Sequence, residues 1–208
     1  MTEKRVYDCV VIGGGPAGAT AASILAQGGY RVALLEKNEG PRYQIGESLL
    51  PFCYPTLKRI GALEAVKRFG FTQKMSVQFV SADGRNSKPF FFDQHLDHDS
   101  ATTWQVLRSE FDDLLLKNAE ALGAEIYRGV TAQSPLSEGS FNVGLTVRDK
   151  DGTPFELRAP LTIDASGREC FFVRHFRWRN SEPMLNRLAL WAYFEGAQRD
   201  SGRNEGAT

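Results

Sequence analysis

Hydrophobic positions in the first forty residues fall into two short unbroken runs separated by a stretch of small residues. Val10, Val11 and Ile12 form the first run and Val32 to Leu35 the second. Between them, Ala17 to Gln27 carries small and apolar residues suited to a helix packed closely on a sheet. The order is strand, turn, helix, strand, and it predicts a βαβ unit from Val6 to Lys37.

Downstream the period changes several times. Ser48 reads as an N-cap with Pro51 in the first turn, predicting a helix to Gly61, and a shorter helix from Ala62 to Phe69 is stopped by Gly70. Extended segments follow at Met75–Ser81, Ser87–Asp93 and Thr102–Leu107, with Asp83-Gly84 as a turn. Ser109 with Asp112 resembles a capping box just after Arg108. Phe111, Leu114, Leu115, Ala119 and Leu122 then make one apolar helical face ending at Gly123. Ala124–Gly129 reads as a strand. Phe141, Val143, Leu145 and Val147 alternate with polar or small residues before an Asp151-Gly152 turn, and Phe155 and Leu157 continue that sheet. Leu161–Ala165 is a further buried strand, Leu188–Glu195 a last extended segment, and Ala197–Thr208 is polar and without periodicity. The alternation of α/β units with antiparallel insertions departs from a plain nucleotide-binding domain.

The turn inside the first unit changes the picture most. In Gly13-Gly14-Gly15-Pro16-Ala17-Gly18, Gly13 suits a tight turn, Gly15 lets the backbone approach a pyrophosphate and Gly18 permits close helix–strand contact. The helix that follows presents free N–H groups and the positive end of its dipole to an anion. Glu36 lies 23 residues after Gly13, where an acid accepts hydrogen bonds from a ribose hydroxyl pair. Strand, helix and acid agree on dinucleotide binding.

Composition narrows the partners. The 208 residues suffice for one domain or one and a half, and 25 Lys plus Arg balance 25 Asp plus Glu. No global field therefore favours nucleic acid or an anionic membrane. No apolar run is long enough to span a bilayer, and the N-terminus leads directly into the first strand, so a cytoplasmic location is expected. Cys9, Cys53 and Cys170 lack metal-ligand or C-x-x-C spacing and read as reduced structural residues. His95 and His98 among Asp93, Asp97 and Asp99 read as a solvated loop, so no metal site is expected. The run Arg174, His175, Arg177, Trp178 and Arg179 reads as a solvated face.

With these residues assembled, the chain resembles the two-domain FAD-dependent oxidoreductases of the aromatic-hydroxylase type, and within them the flavin-dependent halogenases. The resemblance rests on residues 13–18, Glu36, Gly46-Glu47-Ser48-Leu49-Leu50-Pro51, Gly70-Phe71-Thr72-Gln73-Lys74, residues 105–112 and Asp164-Ala165-Ser166-Gly167-Arg168, and it covers nearly the whole chain. It implies a Rossmann-like α/β FAD-binding domain with antiparallel β insertions forming part of a substrate domain. In that frame residues 1–73 and 108–170 build the FAD-binding part, with a β-meander at 131–158. Residues 74–107 are an insertion of the substrate domain and 171–208 its truncated start. The implied cofactor is FAD, touched by Gly13, Gly15, Pro16, Ala17, Gly18, Glu36, Lys37, Arg42, Glu47, Ser48, Arg108, Asp164 and Gly167. Lys74 is the implied catalytic residue. In such halogenases reduced flavin and oxygen convert halide to hypohalous acid, which meets a lysine in this position beside an aromatic substrate. A reductase supplying reduced flavin and a substrate held on a carrier protein are implied partners.

The residues alone leave other readings open. Arg42 also fits a solvated loop, Glu47 and Ser48 fit helix capping, and Lys74 fits an ordinary strand-edge lysine. Arg108, a cation beside a helix N-terminus, suits a phosphate. The Trp-x-Trp-x-Ile-Pro segment of such halogenases and the later Gly-Asp motif of the wider superfamily are both absent, which leads to the expectation of an N-terminal piece of a longer protein. A geranylgeranyl-reductase-like or hydroxylase-like flavoprotein needs no lysine at 74, and a non-catalytic FAD-binding module needs neither missing motif. An NAD-dependent dehydrogenase would leave Arg108 and the antiparallel insertions without purpose.

Overall fold

The computed structural model describes residues 4–180, 182–185, 188, 190–196 and 201–204. Its centre is a parallel sheet of four strands in the order β12-β2-β3-β8, where β2 is Cys9–Ile12, β3 Val32–Glu36, β8 Glu125–Arg128 and β12 Leu161–Asp164. Helices α1 (Pro16–Gln27) and α4 (Arg108–Ala121) pack against each other over one face. A second sheet, β1-β11-β10-β9, joins Lys4–Val6, Pro154–Arg158, Phe141–Arg148 and Thr131–Glu138 and covers the other. This three-layer arrangement explains the unbroken apolar runs. Cys9, Val11, Val32 and Leu34 point into the helical layer, while Val10, Ile12, Ala33 and Leu35 point into the second sheet.

Register brings the functional ends together. Ile12 pairs with Leu35 and with Asp164, and Glu36 pairs with Arg128, so the carboxyl ends of β2, β3 and β12 open on one edge. In open α/β sheets ligands bind at that edge.

The other elements differ from the sequence expectation in instructive ways. The helix expected from Ser48 is α2, Cys53–Arg59, with Phe52 at its N-cap. Pro51 disfavours the helical region for Leu50, and residues 47–49 pair instead with β7 (Thr103–Gln105) and its neighbours: the Leu49 N–H donates to the Trp104 carbonyl and the Val106 N–H to that of Glu47. Ser48 is therefore not a helix cap. Helix α3, Leu63–Phe69, follows the expected span and ends on a left-handed Gly70. The long extended segments shrink to β5 (Ser76–Val77), β6 (Phe90–Phe91) and β7, and a strand outside all three, β4 (Thr72–Lys74), pairs with β7 while β5 pairs with β6. Arg108 is the first residue of α4, and Asp112 forms no capping box. Residues 171–175 form a short helix, α5, whose Phe172 stacks on Phe176 and Phe176 on Trp178. No strand occurs among the described residues of 188–195. Ala189 and most of 197–208 lie outside the described residues.

Candidate cofactor and active site

The glycine turn is built by contact. Gly13 has φ +101° and Gly18 lies against it: a Cβ on Gly18 would fall 1.9 Å from the Gly13 carbonyl oxygen, and one on Gly13 would fall 2.5 Å from that of Ala165. Only glycine permits α1 to start this close to both β2 and the end of β12. Gly15 is the N-cap and Pro16 the first helical residue, where its lacking N–H costs nothing. The first turn of α1, Pro16-Ala17-Gly18, holds no acidic side chain.

Glu36 ends β3 beside this turn and is buried. Its carboxylate accepts the Gly14 N–H at 3.1 Å and, from Asn38, the backbone N–H at 2.9 Å and the side-chain amide at 2.8 Å. It lines a cleft together with Gly13, Arg42, Val130, Ala132, Ser166 and Phe171. A cleft with apolar side chains beside a carboxylate suits a nucleoside, whose base is flat and whose ribose offers two hydroxyls.

Three charges sit beyond Glu36. Asp112, buried on α4, accepts from Arg108 Nε at 2.8 Å and Nη2 at 3.0 Å. The same carboxylate lies 3.5 Å from Arg42 Nη2, and Arg42 Nε lies 3.7 Å from Glu36. Arg108 also donates from Nη1 to the Ile45 carbonyl at 2.9 Å, tying α4 to the segment that carries Glu47 and Ser48. Asp112 escaped the sequence reading because an acid three residues after Ser109 mimics a capping box. The competing signal was an arginine four residues upstream on the same helix face.

Lys74, the last residue of β4, is only 3% exposed. It pairs with Thr103 of β7, and Ser48 bridges to Gln105 of the same strand. The Lys74 ammonium donates to the exposed Ser48 hydroxyl and stands 5.8 Å from the centroid of the Phe92 ring. Burial pushes its pKa below the ordinary lysine value. Glu47 instead accepts from the Tyr193 hydroxyl at 2.7 Å.

The remaining candidates are held by other partners. Lys37 pairs with Glu169 at the rim of the cleft. Asp164 accepts the Ser166 N–H and, at 2.8 Å, the Phe172 N–H in the first turn of α5, and Gly167 begins the single-turn helix that precedes α5. His98 accepts the Ser100 N–H, and His95 stacks on Phe90. No cluster of three metal-ligating side chains occurs among the described residues.

A glycine turn with a buried acid and two arginines beside it fits a dinucleotide with a pyrophosphate, and comparison with known proteins gives the same class. Residues 6–181 match the FAD binding domain family. Flavin-dependent halogenase armH3 of Armillaria mellea is 40% identical over 198 residues, covering 92% of this chain and 38% of that protein. The 1H-pyrrole-2-carbonyl-[peptidyl-carrier protein] chlorinase of Pseudomonas fluorescens is 34% identical over 214 residues, covering 94% and 47%. Among solved structures, the myxobacterial chondrochloren halogenase CndH superimposes with a TM-score of 0.74 at 38% identity, over 78% of this chain and 38% of that one. The chain thus spans less than half the length of these relatives. No described helix is long and apolar enough to cross a membrane. The chain belongs to the FAD binding domain family, and FAD is its cofactor.

Proposed function

We propose that the protein is a flavin-dependent halogenase acting on an activated aromatic ring such as a phenol or pyrrole, free or tethered to a carrier protein. The observation that carries this reading is Lys74: an ammonium inside the fold, its pKa lowered by burial, beside Ser48 on the segment braced to Arg108. The names of the similar proteins support it. Bound FAD, once reduced, supplies with oxygen the two-electron oxidation that turns halide into hypohalous acid. Lys74 then holds the hypohalous acid by an N–H to its oxygen. The arene carbon gains the halogen and loses its proton, and the oxygen leaves as water.

The chain's other residues take the binding roles. Glu36 receives the adenosine ribose, the 13–18 turn with Arg42 and Arg108 faces the pyrophosphate, and Lys37, Glu47, Ser48, Asp164 and Gly167 border the cofactor. Residues 1–73 and 108–170 form the FAD-binding part, 74–107 and 171–208 contribute to the substrate side, and a separate reductase delivers reduced flavin in the cytoplasm. The test is halogenation of a phenol or pyrrole by the full gene product with reduced FAD, oxygen and bromide. Lys74→Ala abolishes halogenated product while FAD affinity and flavin reoxidation persist. Undiminished product from that variant overturns the reading.

A further inference from the structure

Two cations stand where helix electrostatics disfavours them. Arg108 is the first residue of α4. Arg42 Nη2 lies so close to the N-cap of α1 that a Cβ on Gly15 would fall 2.7 Å from it. A helix N-terminus carries roughly half a positive charge, so each guanidinium there is repelled unless an anion is nearby. One carboxylate serves both: Asp112, 4% exposed in its side chain, faces Arg108 with two parallel hydrogen bonds and Arg42 with one oxygen. Glu36 holds Arg42 from the other side but spends its oxygens on Gly14 and Asn38.

We propose that Asp112 is the positioning residue of the dinucleotide site, locking the Arg108 guanidinium and suspending Arg42 against Gly15 so that the FAD pyrophosphate meets a cation already in place. Asp112 does not touch the cofactor and acts through the two arginines. Glu36, Asp112, Arg42 and Arg108 sum to zero charge, so the cluster can be buried without a ligand. The pyrophosphate then adds its negative charge at two helix N-termini, where it is favoured. Holding Arg42 in place before binding removes the cost of ordering a long side chain on binding. The proposal rests on the placement of FAD given above.

The experiment measures the affinity of the protein for FAD, ADP and adenosine by competition, in wild type, Asp112→Asn, Arg42→Gln and the double variant, with a thermal melt of each. Asp112→Asn keeps the shape of the side chain and removes its charge. It is expected to weaken FAD and ADP about tenfold, in line with a charge-assisted hydrogen bond, and to leave adenosine unchanged. Arg42→Gln, at a partly exposed position, is expected to do the same. The double variant is expected to lose less than the two single losses combined, because part of the Asp112 effect passes through Arg42. Wild-type ADP affinity in a folded Asp112→Asn protein overturns the proposal, as does an equal loss on ADP and adenosine. If Asp112→Asn fails to fold, unchanged ADP affinity in Arg42→Gln overturns it instead. Failure of the wild type to bind FAD would overturn the cofactor placement itself, a separate result.

Discussion

Replacing Lys74 by methionine should make the protein more stable at neutral pH while destroying the proposed chemistry. Bringing an ammonium out of water costs several kcal/mol after relaxation. Two contacts offset part of that cost. The hydrogen bond to Ser48 is worth about 1.5–3 kcal/mol as a charged one, and the Phe92 ring, 5.8 Å away, adds about 0.5–1 kcal/mol at the outer limit of a cation–π contact. Methionine fills nearly the same volume, keeps the apolar contacts and leaves no charge. Ser48 is exposed, so water replaces the lost donor. The net gain is about 1 kcal/mol, or roughly 2–4 °C in Tm for a chain of this size.

The pH dependence distinguishes this cause from simple repacking. Burial lowers the Lys74 pKa below 10.5, so between that lowered value and 10.5 the unfolded chain holds a proton that the folded chain has released. Wild-type stability accordingly rises with pH across that window, and below it the penalty is fully present. The advantage of Lys74→Met is therefore largest near pH 7 and shrinks as pH approaches 10.5. Urea denaturation of both proteins at several pH values up to 10.5 measures it. A variant less stable at pH 7, or an advantage that does not change with pH, refutes the desolvation argument.

Two further perturbations test other parts of the structure. Gly18→Ala drives a methyl to within 1.9 Å of the Gly13 carbonyl oxygen, so the turn or α1 must move; a stability loss of about 3 kcal/mol in urea and a collapse of FAD affinity are expected, and wild-type FAD affinity would contradict the contact. Glu125 accepts from the Tyr7 and Tyr127 hydroxyls at the edge where the two sheets meet; burial raises its pKa, but those bonds and the charges of Arg5 and Arg31 outweigh burial and lower it overall. Glu125 is exposed, so Glu125→Gln should cost only about 1 kcal/mol at pH 7. That deficit should vanish as pH falls below the ordinary 4.5 through the lowered value, and a pH-independent deficit in acid titration would disprove it.

What the sequence disclosed depended on the range of the cause. Strands β2 and β3, helix α1 and Glu36 were legible because a βαβ unit writes its requirements into about thirty adjacent residues: apolar runs for a sheet buried on both faces, glycines where backbones touch, an acid at the end of the second strand. The misreading of Ser48 has the opposite origin. Its helix-cap pattern is local, but the backbone groups of residues 47–49 are claimed by 104–106, more than fifty positions away, and nothing near Ser48 announces that. Strand β1 joins β11 across an even longer separation. Asp112 shows a third case, in which the sequence offered two local readings. Capping by Ser109 and pairing with Arg108 both fit the spacing, and a buried two-pronged ion pair is stronger than a cap at a helix end.

Arg108 is where the dinucleotide end of the site meets the lysine end. On one side it grips Asp112, which also faces Arg42 and through it the glycine turn. On the other side its Nη1 donates to the Ile45 carbonyl, three residues before the serine whose hydroxyl accepts from the Lys74 ammonium. The planar guanidinium is required for this double grip. It presents two parallel N–H groups to a carboxylate along one edge and keeps another donor for a carbonyl on a different edge, whereas an ammonium is a point charge with no such fork. Residues 46–49 are also held by backbone bonds to Trp104 and Val106, by the Tyr193 hydroxyl on Glu47 and by Leu49 packing on the helical-layer core. Arg108 is therefore one of several ties on the segment that places Ser48, whose hydroxyl accepts from the Lys74 ammonium.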